Sequence, residues 1–263
     1  MRLEDISKNI RSTVVVMNAN SNASHSGSAL SIVDILVVLY FKIMNIFPNE
    51  PLNPNRDKFI LSKGHASAAL YSTLAERGFF DKKILEGFYV NDGKLPGHLD
   101  KEVVFGVEVS SGSLGHGLSI ALGMAIADKV DKNNSNIYVL CGDGEMNEGS
   151  MWEAIIFAAH KKLNNITLII DYNKLQGYGK TNEVVNLEPL SDKFISFNWH
   201  VIEIDGHNFL EIENALSMKV KKPKVIIAHT VKGKGVSYME NQFVWHYKSP
   251  NKYQLLQALN ELK

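Results

Sequence analysis

Cysteine is almost absent: the 263-residue chain holds one, Cys141. An internal disulfide is therefore excluded, as is a cysteine-rich zinc module, and a lone thiol suits a reducing compartment. Excess charge of either sign is also missing, because 28 basic residues meet 28 acidic ones. That balance gives no general pull toward nucleic acid or an anionic membrane surface, so partners have to be recognised by local sites. Long hydrophobic runs are lacking too. The longest, residues 32–43, is interrupted by Asp34 and Lys42 and is too short to span a bilayer. The opening MRLEDISKNIRSTVVVM carries charges in its first turns and shows no apolar stretch leading to a small-residue cleavage site, so a cytoplasmic location is expected. What is present is 45% hydrophobic residues, which excludes a disordered chain and indicates a globular one.

The order of periodic segments sets the fold class. SALSIVDILVVLYFKIM has apolar residues at helical spacing, with Ser28 or Ser31 as expected caps. Five short apolar runs then read as strands: KFILS at 58–62, NIYVLC at 136–141, NITLIID at 165–171, WHVIEID at 199–205 and KVIIAHT at 224–230. Most are too continuously apolar for strands with one wet face, which suits parallel strands covered on both sides. Helix-like stretches such as ASAALYSTLAERG, LSIALGMAIADKV and SMWEAIIFAAHKKL alternate with them. The prediction is an α/β fold, a mainly parallel sheet with helices on both faces, whose ligands bind at the carboxyl ends of the strands. No linker-like stretch or repeat divides the chain, so residues 1–263 are expected to form a single domain. The loop 177–192 shows no clear pattern and is expected near the site mouth.

The most informative motif follows the second predicted strand. Gly142-Asp143-Gly144-Glu145-Met146-Asn147-Glu148-Gly149 is a glycine-rich turn leading into a helix, where backbone N–H groups can hold an anion. A P-loop would need lysine where Ser150 stands, and a dinucleotide fingerprint would need a third glycine where Asn147 stands. Asp143 beside an anion site is repulsive unless a cation lies between, and Mg²⁺ is suited to bridge protein oxygens and phosphates. Asn173 follows the next strand, one βα unit on, so adjacent parallel strands would deliver both oxygens to one edge. Taken singly, each piece also reads as an ordinary turn.

The block GDGEMNEGSMWEA…DYNKLQGYG resembles the signature of thiamine-diphosphate enzymes. The resemblance implies a thiamine-diphosphate-binding fold, with Asp143, Asn173 and the Leu175 carbonyl holding Mg²⁺ against the cofactor diphosphate. It also implies that the turn residues Gly142, Asp143, Gly144 and Glu145 lie against the cofactor, Gly144 through its N–H. Four loop histidines narrow the family: His25 in SHSGSALS, His65 in SKGHASAALY, His98 in KLPGHLD and His246 in FVWHYKSP. Their order resembles transketolase, where histidines line the substrate channel. Imidazole suits a reaction that moves hydroxyl protons near neutral pH. By that resemblance His65 and His246 sit near the diphosphate and the reacting carbons, His98 bonds the donor hydroxyl, and His25 assists proton transfer. Gly112, Ser113, Leu114 and Gly115 are similar to the family segment that touches the cofactor's pyrimidine side. His160, His200 and His229 fit structural or surface roles.

Transketolases carry three domains, and essentially the whole chain resembles the first, from the N-terminal helices through DGHN at 205–208 to the last strand. The glutamate that activates the cofactor belongs to the second domain, so the resemblance implies the N-terminal subunit of a split transketolase, with a C-terminal partner supplying that glutamate. An α2β2 heterotetramer acting on sugar (phosphate) substrates is expected, without nucleic acid or membrane. The final segment YQLLQALNELK reads as a helix, which favours a natural subunit over a truncated one. Met146, Met151, Trp152 and Ile155 are core or partner contact. His116 and Tyr247 depart from the family, which usually has Gln and Gly there, and point to an altered donor or acceptor. Alternatives are a 1-deoxyxylulose-5-phosphate synthase-like enzyme, a 2-oxo acid dehydrogenase α-like subunit, or a non-catalytic scaffold of the same fold.

Overall fold

The computed structural model describes residues 2–263. Five strands build its sheet: β1 (Lys58–Leu61), β2 (Ile137–Gly142), β3 (Ile166–Tyr172), β4 (His200–Asp205) and β5 (Lys224–His229). Every neighbouring pair is parallel, and the order across the sheet is β1-β2-β3-β5-β4. These are the five apolar runs expected from sequence, each within about one residue of its expected bounds.

Ten α-helices accompany them among the described residues: α1 (Leu3–Ser21), α2 (Ser26–Leu30), α3 (Val33–Val38), α4 (Ser67–Arg77), α5 (Gly117–Val130), α6 (Gly149–His160), α7 (Thr181–Val184), α8 (Leu190–Ser196), α9 (Phe209–Ser217) and α10 (Lys252–Glu261). Side chains alternate across a strand, and here both sets are buried. In β2, Tyr138 and Leu140 join one core with α1, α3, α4 and α9, while Ile137, Val139 and Cys141 join another with α5, α6 and α8. Covering both faces is what lets continuous apolar runs serve as parallel strands.

Two expectations are corrected. The continuous helix expected from Ser28 onward is broken into α2, α3 and a π turn (Leu39–Ile43), and neither serine caps it. Ser28 lies inside α2, and the Ser31 hydroxyl donates to Ser28 O (3.1 Å) and to Asp171 Oδ2 (2.7 Å). A buried carboxylate in need of donors takes the hydroxyl that periodicity assigned to a cap. The loop 177–192 contains α7 and the start of α8, whose Leu190 enters the second core with Leu187.

No helix of the described residues is long and apolar enough to cross a membrane. Register places Gly142 opposite Asp171 and Asp171 opposite Ala228. The loops leaving β2, β3 and β5 therefore emerge side by side at the carboxyl edge.

Candidate active site

Asp143, the first residue past β2, is almost fully buried. Its Oδ1 accepts the Gly144 N–H (2.8 Å), and its Oδ2 accepts the Lys174 N–H (2.7 Å) and the Thr181 hydroxyl (3.0 Å). Burial and the neighbouring Asp171 push its carboxyl above the ordinary value, the condition of a carboxylate that needs a cation. Asn173 lies just beyond β3; its Nδ2 donates to Asp171 Oδ2 (2.9 Å) and its Oδ1 accepts the Leu175 N–H (3.1 Å). Asp143, Asn173 and Leu175 line one cavity of 320 Å³.

Asp171, completely buried, organises this corner. Its carboxylate accepts from Lys63 Nζ (2.6 Å), Ser31 Oγ (2.7 Å), Asn173 Nδ2 (2.9 Å) and the Thr230 hydroxyl. Burial raises its pKa, but the Lys63 ammonium and these hydrogen bonds outweigh that and hold it below the ordinary carboxylate range.

Lys232 is buried as deeply, yet no carboxylate pairs with it among the described residues. Its ammonium donates to Leu175 O (3.0 Å) and lies 3.4 Å from His246 Nδ1. Burial, with Lys63 nearby, brings its pKa down to about 8. A buried cation without a counter-charge is costly, and it faces a cavity that an anion could fill. Gln176 Nε2 on the same wall is buried without a hydrogen-bond partner. At Gly144 a Cβ would stand 2.9 Å from Gln176 Cγ, so glycine keeps that wall open. A ligand with phosphate oxygens and a hard cation would satisfy Lys232, Gln176 and Asp143 together.

The four loop histidines converge beside this cavity. The ring of His25 lies 5.1 Å from His65, 5.8 Å from His98 and 4.8 Å from His246, centroid to centroid, and His65 lies 5.3 Å from His246. Burial, with nearby cations and imidazoles, lowers His25 to about 4 and His246 to about 3, and holds His65 well below its ordinary value. These three rings are neutral at neutral pH, each with one donor and one acceptor nitrogen. With Lys232 charged, His246 Nδ1 is the acceptor of that pair, which puts its proton on Nε2. His25 holds φ +70° at the start of α2, a left-handed conformation rare outside glycine, and its N–H donates to His246 O (3.1 Å).

The remaining expected residues are placed as follows. His65, Leu114, Gly142, Gly144 and His246 line the 320 Å³ cavity. Gly112 and Ser113 lie instead in an adjoining open cleft with His116 and Ile120. Glu145 is an internal brace: its carboxylate accepts the Gly115 N–H (2.9 Å), the Gly142 N–H (3.3 Å) and the Ser62 hydroxyl. It ties β1, the GSLG segment and the GDG turn together. Tyr247 donates to Gly177 O (2.7 Å), latching the His246 turn to the loop after Asn173. Met146, Met151 and Ile155 are fully buried core, while Trp152 is partly buried and donates to Met146 O (2.8 Å). A larger cavity of 640 Å³ lies at the amino ends of the strands, but its buried Lys224 is spent on the carbonyls of Ala215, Leu216 and Met218.

Sequence reasoning did not single out Lys63, Asp171, Gln176 or Lys232. Asp171 carries a signal in hindsight, a charged residue inside an otherwise apolar strand. The two lysines carry none that separates them from surface lysines.

Residues 4–253 match the family model described as transketolase, thiamine diphosphate binding domain. The chain is 44% identical to one subunit of the apulose-4-phosphate transketolase of Actinobacillus succinogenes over 264 residues, covering 99% of this chain and 96% of that one. It is 43% identical to a 6-deoxy-6-sulfo-D-fructose transketolase subunit of a Clostridium species, covering 84% of this chain and 82% of that one. Among solved structures, a transketolase from Campylobacter jejuni superposes with a TM-score of 0.94 at 33% identity over all of this chain. The match spans 43% of the length of that Campylobacter chain.

Proposed function

Since the chain belongs to the transketolase family and contains its thiamine-diphosphate-binding domain, we propose that it is the N-terminal subunit of a two-chain transketolase. Working in the cytoplasm with a C-terminal subunit, it would transfer a two-carbon ketol unit from a ketose (phosphate) donor to an aldose acceptor. The observation that carries this reading is what one cavity brings together: a buried Lys232 cation without a carboxylate, an unpartnered Gln176 amide, and hard oxygens of Asp143, Asn173 and Leu175.

Asp143 Oδ1, Asn173 Oδ1 and the Leu175 carbonyl would hold Mg²⁺, and Lys232, Gln176 and the Gly144 N–H would hold the diphosphate. When bound, thiamine diphosphate supplies a carbon nucleophile that cleaves and re-forms the bond next to a ketone. The rest falls to side chains of this subunit. His25, His65 and His98 line a small 60 Å³ hollow, with His65 shared between it and the larger cavity, so successive substrate hydroxyls can each find an imidazole. His246, with its proton on Nε2, offers a donor there while Lys232 fixes its other nitrogen. The rings stay neutral because burial disfavours the charged form and a charged imidazolium cluster beside two lysines would repel itself.

Partner dependence has support on two sides. The matched Actinobacillus protein is named as one subunit of its transketolase, and this chain covers nearly all of it. Ile120 of α5 stays exposed in the open cleft that contains Gly112 and Ser113, and Ile156 and Phe157 stay exposed on α6, which packs against α5; a second chain covering this side would complete the site. We read the assembly as an α2β2 heterotetramer.

Native mass spectrometry of the tagged chain purified from its own organism, with thiamine diphosphate and Mg²⁺ present, tests the proposal. A second chain in equal number, retained cofactor, and ketol transfer that a metal chelator abolishes are expected. A chain that runs alone and binds no cofactor after its neighbouring gene products are added would refute it.

A further inference from the structure

The DGHN segment at 205–208 lies outside the cavity, yet it touches the loop that carries Lys232. His207 Nε2 accepts the Val231 N–H (2.8 Å). A backbone N–H can only donate, so the His207 proton sits on Nδ1, which donates to Asp34 Oδ2 (2.8 Å). Asp34, buried on α3, also receives Arg11 of α1 through both terminal guanidinium nitrogens (2.9 and 2.6 Å). Arg11 Nε in turn donates to Lys234 O (3.1 Å). The 231–235 loop is therefore bonded at Val231 N–H and at Lys234 O, with Lys232 between those two points. The fit is close: a Cβ at Gly235, whose φ is +92°, would stand 3.0 Å from Arg11 Cδ.

We propose that His207 is a positioning residue: through its bond to the Val231 N–H it fixes the backbone from which Lys232 reaches the anion cavity. Imidazole is suited to this because one ring bridges a buried carboxylate through one nitrogen and a backbone donor through the other. The proposal rests on the reading that the cavity holds the cofactor diphosphate.

The test measures thiamine diphosphate affinity, with Mg²⁺ present, of the full chain assembled with its C-terminal partner. His207→Asn keeps a donor for Asp34 but loses the acceptor for Val231, whereas His207→Gln places an acceptor near the Nε2 position. We expect His207→Asn to weaken binding about tenfold, the range for residues that orient a ligand-holding group, and His207→Gln to recover most of it. Lys232→Met should weaken binding at least as much, and the Lys232→Met, His207→Asn double variant should be no weaker than Lys232→Met alone. Thermal unfolding of each cofactor-free complex establishes that the variants fold; if His207→Asn does not, His207→Ala, which also loses the acceptor for Val231, takes its place in the same cycle with Lys232→Met, where full additivity overturns the proposal. Equal affinities for the Asn and Gln variants, or additive losses with Lys232→Met, also overturn it. A wild-type complex that binds no thiamine diphosphate refutes the cofactor reading itself.

Discussion

Asp171→Asn is the most informative single change in this chain. The carboxylate is fully buried and receives four donors, including the Lys63 ammonium at 2.6 Å, itself only 2% exposed. Asparagine keeps one acceptor oxygen and removes the charge, so Lys63, which still donates to Ser28 O (2.9 Å), is left as a buried cation without a counter-charge. Breaking one side of a buried ion pair costs about 3–5 kcal/mol. In a domain of this size each kcal/mol lowers Tm by about 2–4 °C, so the expected drop is roughly 6–20 °C. Differential scanning calorimetry of the cofactor-free chain reads it. A second effect follows from the Asn173 Nδ2 bond to Asp171: once its anchor is replaced, Mg²⁺-dependent cofactor affinity should fall about 10- to 100-fold. The pair Lys63→Met, Asp171→Leu separates the two effects, since an apolar replacement of a buried ion pair restores stability but not the anchor. A Tm within about 2 °C of wild type for Asp171→Asn would refute the argument. The apolar pair should regain Tm while its cofactor affinity stays low; restored affinity would sink the positioning role. Because the Asp171 pKa is held below its ordinary value, its contribution is complete above the ordinary carboxylate range and is lost only as pH falls through the lowered native value.

Two further expectations concern the rim of the site. His25 at about 4 and His246 at about 3 lie below the unfolded histidine value near 6.5, so the unfolded chain binds more protons, and stability is lost as pH falls from about 6.5 toward 4. Equilibrium urea unfolding across that range should show the decline, and His25→Asn with His246→Gln should flatten it; an unchanged slope contradicts the neutral cluster. Tyr247→Gly removes the latch on Gly177 and opens the entrance, so KM for longer aldose acceptors should fall relative to short ones in an acceptor panel. Its stability change should stay within about 1 kcal/mol because the side chain is 56% exposed, and a constant acceptor ratio would rule Tyr247 out as a selector.

Legibility from sequence followed burial. β2, β3 and β5 stood out because both faces of each are covered, so nearly every residue had to be apolar. The histidine positions were legible through the Gly and Ser around them, and their convergence is a property of the carboxyl edge. The break between α2 and α3 was hidden because Ala29, Leu30, Ile32 and Val33 keep it apolar on both sides, and the deciding partner of Ser31, Asp171, is remote in the chain. Lys63 and Lys232 were silent for the same reason: a lysine looks the same whether its ammonium meets water or a buried carbonyl. Glu145, expected as a cofactor contact, lines the cavity, and its second task as a strut between three loops carried no sequence signal.

The sheet order has a consequence for how the molecule comes into being. β5, late in the chain, inserts between β3 and β4. A ribosome that has finished β4 has made a strand whose hydrogen-bonding neighbour does not yet exist, and has left one edge of β3 open. Domains fold as units during synthesis, and open strand edges invite misassociation until they are covered. The centre of this sheet therefore closes only after β5 has emerged, and Lys232 and His246, which follow β5, reach the site later still. A ligand of the cavity can then meet a finished wall only once the segment beyond β5 has been made.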